Sequence, residues 1–242
     1  KVAYENLTAT DKYMLVRLNE IVKTCREAYE RYNYLEVNNE ITNFLTNTVS
    51  SFYMDFTKDI LYIEKTDSLR RRQVQTVIYE CVGALAKLLA PILSFTSEEI
   101  WDHYCGKDGK SIFLQDFPEV VTYADADALK AQFDAFFAIR SDVNKALEEA
   151  RNEKVIGKSL EATVTLHVKD EYKQGIEGFT EQQLAQLFIV SHITLAENDK
   201  EYDSAFVTVA KMEGHVCPRC WNVVTSVDED GLCDRCHSVL HD

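Results

Sequence analysis

Two Cys-x-x-Cys pairs lie near the end of the sequence, Cys217-Pro218-Arg219-Cys220 and Cys233-Asp234-Arg235-Cys236, with a twelve-residue spacer between them. A two-residue gap lets both sulfurs of one turn point at a common centre while backbone N–H groups bond to them, and the spacer lets the second pair fold back on the first. Four thiolates in a tetrahedron suit one structural zinc ion and leave no open coordination position for catalysis. The main apolar residues of this segment are Trp221, Val223, Val224 and Leu232, too few for so short a stretch to fold alone. The metal would supply that energy, on the order of 10 kcal/mol. Disulfides and thioredoxin-like redox chemistry are the competing uses of such pairs, and His215 and His237 beside them are alternative ligands. Trp221 directly follows Cys220. It is either an exposed platform for an unpaired base, worth about 1–3 kcal/mol per base, or an indole packed on a neighbouring domain.

No nucleophile constellation accompanies these cysteines. Glu98-Glu99 and Glu148-Glu149 are neighbours on predicted helices, where adjacent side chains diverge by about 100° and do not converge on a substrate. Neither a P-loop nor a GxGxxG occurs, so no nucleotide-phosphate cradle is expected. The 26 Lys and Arg are outnumbered by 40 Asp and Glu, giving a net charge of -14, which excludes a protein that coats nucleic acid by bulk charge. Phosphate contacts must be local. Lys65 and Arg70-Arg71-Arg72, with Lys58, form one basic corner, and Arg140, Lys145, Arg151, Lys154 and Lys158 a second edge; taken alone, ordinary ion pairs on a solvated face explain them more plainly. Asn33, Asn38, Asn39, Asn43 and Asn47 either read base edges or simply face solvent.

The elements that would position these groups follow from periodicity. The chain has 242 residues, 46% hydrophobic and 27% charged, as a folded soluble protein does. Apolar positions spaced by three and four predict a helix from Thr10 to Tyr32 and a second stripe through Tyr34, Val37, Ile41, Phe44, Leu45, Thr48, Phe52 and Phe56. A third helix, Val74 to Leu89, stops near Pro91, and Thr96 with Glu99 reads as a capping box opening a fourth. Four helices with short connections make an antiparallel bundle. A loop over 106–121 leads to a fifth helix through Leu129, Phe133, Phe136, Val143, Leu147 and Ala150, ended by Gly157. Beyond it the period changes to two at Ala162, Val164, Leu166 and Val168, then a short helix Glu181 to Phe188 and strands His192 to Ala196 and Ala205 to Lys211 complete a small α+β unit. The expected domains are residues 1–124, 125–213 and 214–242. No stretch is apolar and long enough to span a bilayer. Seven cysteines, with Cys25 and Cys81 in apolar helical patterns, fit the reducing cytosol. A start at Lys1 without Met or signal peptide reads as a piece of a longer chain.

Several stretches together resemble one family. Asn33-Tyr34-Leu35, Ser51-Phe52-Tyr53-Met54-Asp55-Phe56-Thr57-Lys58-Asp59, Leu89-Ala90-Pro91-Ile92-Leu93 and Thr96-Ser97-Glu98-Glu99-Ile100-Trp101 are similar to the C-terminal part of class I aminoacyl-tRNA synthetases. Ile156-Gly157-Lys158-Ser159-Leu160-Glu161-Ala162 and the Cys-Pro-Arg-Cys-Trp run with its second pair resemble the bacterial isoleucine-specific branch. The resemblance implies a mainly α chain: an antiparallel helical bundle of the class I anticodon-binding type, a small α+β junction domain and a C-terminal four-cysteine zinc module. The implied partners are the isoleucine tRNA and the catalytic domain of the same parent chain, with neither DNA nor membrane, in a cytoplasmic monomer. By motif position Lys58 and Trp221 would read the anticodon. Arg70, Arg71, Arg72, Arg151, Lys154, Lys158 and Arg219 are candidate contacts to the tRNA backbone. The family's two ATP-binding motifs and its editing insert are absent here, so ATP would be used by the parent and the piece would select tRNA without catalysis. Two rival readings are a zinc-stapled protein-interaction adaptor and the tail of a valine, leucine or methionine synthetase.

Overall fold

A computed structural model describes residues 1–105, 109–197 and 202–241. The described chain is mostly helical, with eight α-helices, a small sheet and a C-terminal cysteine cluster. It divides into two compact units, residues 1–61 with 66–126, and residues 62–65 with 127–242.

In the first unit α1 (Ala9–Glu30) begins at Thr8, whose hydroxyl accepts from the Asp11 N–H in a reciprocal capping box. Next come α2 (Tyr34–Asn43), a π-helical stretch Phe44–Met54 and α3 (Asp55–Ile63). The predicted second stripe runs through the π-helical stretch and on into α3. Phe44, Thr48, Phe52, Phe56 and Ile60 recur every four residues, the first three in the π-helical stretch and the last two in α3. Phe44, Phe52, Phe56 and Ile60 are buried, whereas Leu45 is exposed. The Ser51 hydroxyl donates to the Thr46 carbonyl five residues back at 2.7 Å.

α4 (Leu69–Leu89) runs parallel to α1, because Arg70 meets Asp11 at one end and the Tyr29 hydroxyl meets the Leu88 carbonyl at the other. α5 (Ser94–Cys105) returns alongside α4. Thr96 is not its cap. The helix opens two residues earlier, with the Ser97 N–H already bonded to the Leu93 carbonyl and the Ser94 hydroxyl to that of Ala90. Of the predicted loop 106–121, residues 106–108 lie outside the described ones, and a 3-10 turn at Ile112–Leu114 follows. The Glu98 carboxylate accepts from the Ile112 N–H at 2.9 Å, so one of the paired acids ties this loop to α5.

In the second unit α6 (Ala126–Asn152) ends before Gly157, because Lys154 takes the left-handed conformation, φ 61°, and the Val155 N–H closes on the Ala150 carbonyl. β1 (Ala162–Val168) is the centre of a sheet ordered β2-β1-β3. β2 (His192–Leu195) pairs parallel to it, Thr163 opposite His192, after the crossover through α7 (Glu181–Phe188). β3 (Ala205–Lys211) pairs antiparallel, Thr163 opposite Ala210. The alternation read from the sequence puts Ala162, Val164, Leu166 and Val168 inside. Phe136 of α6 stacks on Phe188 at 5.3 Å, and the Asp142 carboxylate holds the Ala205 N–H at 2.9 Å. After β3 come a hairpin of β4 (His215–Val216) and β5 (Val223–Val224) and the terminal α8 (Asp234–His241).

Candidate functional site

The hairpin and the start of α8 carry the two cysteine pairs. Gly214, just before β4, lets the strands close, since a Cβ there would collide with the Val224 carbonyl oxygen. Cys217 and Cys220 sit on the turn between β4 and β5; Cys233 and Cys236 flank the first turn of α8. All four are buried, and their sulfurs lie within 4.8 Å of one another, the one such metal-ligand grouping among the described residues. The Cys220 and Cys233 sulfurs are 3.7 Å apart, against an edge of about 3.8 Å for a tetrahedron with metal–sulfur bonds of about 2.3 Å. The donor set therefore fits a tetrahedral metal ion.

Electrostatics support that use. Burial pushes the Cys217 thiol up, yet the backbone N–H groups of Cys220, Cys233 and Arg219 aimed at its sulfur overcome this and bring it to about 6. Burial holds Cys233 and Cys236 above the usual thiol range. The Cys217 sulfur is thus a ready thiolate, and Cys233 and Cys236 gain most from a cation among them. All seven cysteines among the described residues are free of disulfides. Neither flanking histidine joins the cluster: His215 is exposed on β4, and the His237 Nδ1 pairs with Asp228 at 2.6 Å.

Trp221 follows this buried centre at φ 64° and 68% exposure. Its N–H donates to the Cys217 carbonyl at 2.8 Å, which closes the turn. A bulky L-residue in that conformation is a strained exception where glycine is the undemanding choice. The turn therefore holds an indole out in solvent at an energetic cost.

Lys58 lies in the first unit, a turn before the end of α3, exposed and 3.0 Å from Asp55. Such an exposed i,i+3 pair contributes little and leaves the ammonium available. The other basic positions divide by engagement. Arg70 is drawn into the protein, with Nη1 2.6 Å from the fully buried Asp11 carboxylate, which also accepts the Tyr53 hydroxyl at 2.6 Å. Arg71 is half-buried, and the exposed Arg72 reaches Gln75 at 2.9 Å. Arg151 bonds to Glu148 and Ser159, while Lys154 and Lys158 are exposed. Arg219 donates to the Ile63 carbonyl at 2.7 Å. Asn33 is the N-cap of α2, accepting from the Glu36 N–H, whereas Asn38, Asn39, Asn43 and Asn47 are exposed. Ile63, buried with the four cysteines and Leu232, is a seat of the cluster that local sequence patterns do not reveal.

Residues 11–166 match the family model of the anticodon-binding domain of tRNA ligase, and the chain belongs to this family. Its relatives are more particular. The chain is 46% identical over 250 residues to the isoleucine–tRNA ligase of Bacillus cereus (strain G9842), covering 99% of this chain and 27% of that protein. The isoleucine–tRNA ligase of Bacillus anthracis (strain A0248) and isoleucine–tRNA ligase 1 of Bacillus thuringiensis subsp. konkukian (strain 97-27) match with the same identity and coverage. The chain thus spans 27% of the length of these curated relatives. Among the described residues no helix is long and apolar enough to cross a membrane.

Proposed function

We propose that this chain is the anticodon-reading part of an isoleucine–tRNA ligase, in which a helical bundle of the class I type, an α+β junction and a four-cysteine zinc module grip the anticodon arm of the isoleucine tRNA. The observation that carries this reading is Trp221, a solvent-exposed indole held at a strained φ of 64° directly after a buried cysteine of the cluster. Strain of that kind persists where a function needs the side chain in place. Cys217, Cys220, Cys233 and Cys236 hold one structural zinc ion, which supplies rigidity and no chemistry on the substrate. Trp221 stacks on an unpaired anticodon base, and Lys58 supplies a cation to the same arm. Arg72, Lys154 and Lys158 are the candidate backbone contacts still exposed to solvent.

The parent reaction joins isoleucine to its tRNA with ATP. This chain's share is binding energy that positions the acceptor end at a catalytic body elsewhere in the parent. The parent acts as a cytoplasmic monomer.

The test is binding of the zinc-loaded chain to the isoleucine tRNA and to the same tRNA carrying a methionine anticodon, each at two salt concentrations. Affinity lost on the swap at both salts supports anticodon reading. Equal, steeply salt-dependent binding reduces the role to backbone contact. Binding to proteins with no preference among RNAs favours an adaptor instead.

A further inference from the structure

We propose that Arg219 is a positioning residue: it seats the first cysteine knuckle on the helix end Tyr62–Lys65 and so fixes where Trp221 points. The inference rests on the anticodon reading above and assigns Arg219 a role other than a phosphate contact. The segment Tyr62–Lys65 belongs to the second unit together with the knuckles. It ends α3, and carbonyls of a last helical turn lack intrahelical partners and carry partial negative charge. Arg219 Nη2 takes one of them, the Ile63 carbonyl, at 2.7 Å. The Ile63 side chain is meanwhile buried in one cluster with Cys217, Cys220, Cys233 and Cys236.

The second knuckle repeats the device. Arg235 holds the same place in Cys-Asp-Arg-Cys as Arg219 in Cys-Pro-Arg-Cys, and its Nε lies 3.6 Å from Glu64, the next residue along the same helix end. Two arginines and one isoleucine thus fasten the cluster to a four-residue segment. The Arg219 guanidinium is also enclosed at this seat: its Nη1 is buried without a hydrogen-bond partner among the described residues. Four thiolates around a divalent cation would leave a net charge of about -2, for which the half-buried Arg219 guanidinium is a natural counter-charge. Only Cys220 separates Arg219 from Trp221, and the Trp221 N–H is tied to the Cys217 carbonyl at 2.8 Å. A turn this closed transmits the seat of Arg219 to the indole.

The experiment compares Arg219→Ala and Arg219→Lys in the full chain, alone and with Trp221→Ala, and follows Trp221 fluorescence anisotropy in a Trp101→Phe background where it is the one remaining indole. Arg219→Ala should keep one metal ion per chain, lower the anisotropy of Trp221, and reduce discrimination against the anticodon-swapped tRNA about ten-fold. Arg219→Lys should restore part of both, and Arg219→Ala should cost nothing further once Trp221 is alanine. A uniform loss for both tRNAs with a shallower salt slope would overturn the proposal in favour of a phosphate contact. Loss of the metal from Arg219→Ala would overturn it in favour of a purely structural role. If Trp221→Ala itself leaves discrimination unchanged, the anticodon reading fails, while anisotropy in the absence of tRNA still decides the seat.

Discussion

Glycine usually weakens a protein relative to alanine, and at position 221 the order should reverse. Trp221→Ala and Trp221→Gly lose the same indole, so the difference between them isolates the backbone at φ 64°. A left-handed backbone costs an L-residue roughly 1–2 kcal/mol, while glycine forfeits roughly 0.5–1 kcal/mol more entropy on folding. The balance leaves Trp221→Gly ahead by about 0.5–1 kcal/mol. Metal binding and folding of so small a segment are one equilibrium, so the gain appears as about a two- to five-fold smaller metal dissociation constant. A chelator competition on the two variants at fixed pH measures it, with bundle helicity as the control. Both variants should lose tRNA discrimination equally, since neither presents a ring. An alanine variant that holds metal as tightly as the glycine one would refute the claim that this turn stores strain.

Other consequences are smaller or more local. Asp11→Ala strands Arg70 and the Tyr53 hydroxyl, and breaking so buried a pair should destabilise the first unit by about 3 kcal/mol in urea titration. Gly175→Ala would place a Cβ 2.5 Å from the Phe136 backbone nitrogen on α6, an overpacking worth about 1–3 kcal/mol that thermal melts should register. Lys58→Ala should leave stability within about 0.5 kcal/mol, because its pair with Asp55 is exposed. It should weaken tRNA binding in filter assays, with a salt slope shallower by about 0.9 if the contact is to phosphate.

Periodicity made the elements legible because burial is a local, repeating demand. The alternation at Ala162, Val164, Leu166 and Val168 gave the central strand, and the paired Cys-x-x-Cys gave the buried cluster. The π winding over Phe44–Met54 was not legible, because its apolar stripe reads as an ordinary helical face. Boundaries were less visible, since several residues can stop a helix. Lys154 ends α6 in place of Gly157, and Ser94 opens α5 ahead of Thr96. Least visible were the fates of the arginines. Whether Arg70 faces solvent or Asp11, and whether Arg219 meets an incoming phosphate or the Ile63 carbonyl, depends on partners 59 and 156 residues away. No local pattern records such a pairing, which is why a basic run overstates the charge that remains free.

Internal pairing of the arginines bears on how a chain of net charge -14 can bind a polyanion. Arg70, Arg151 and Arg219 are engaged internally, and the acidic excess opposes indiscriminate contact with phosphate by the cations that stay exposed. On the proposed reading, affinity divides into two parts of different character. Contacts from Lys58, Lys154 and Lys158 release counterions and fade as salt rises. Stacking on Trp221 involves no net charge and is little screened. The ratio of affinities for the isoleucine tRNA and its anticodon-swapped form should therefore stay nearly constant between two salt concentrations while both affinities fall. Trp221→Ala should collapse that ratio without changing either salt slope, and Lys58→Ala should change the slopes. A ratio that shrinks in step with the affinities would mean that discrimination is itself electrostatic, and the role assigned to the indole would pass to Lys58 of α3.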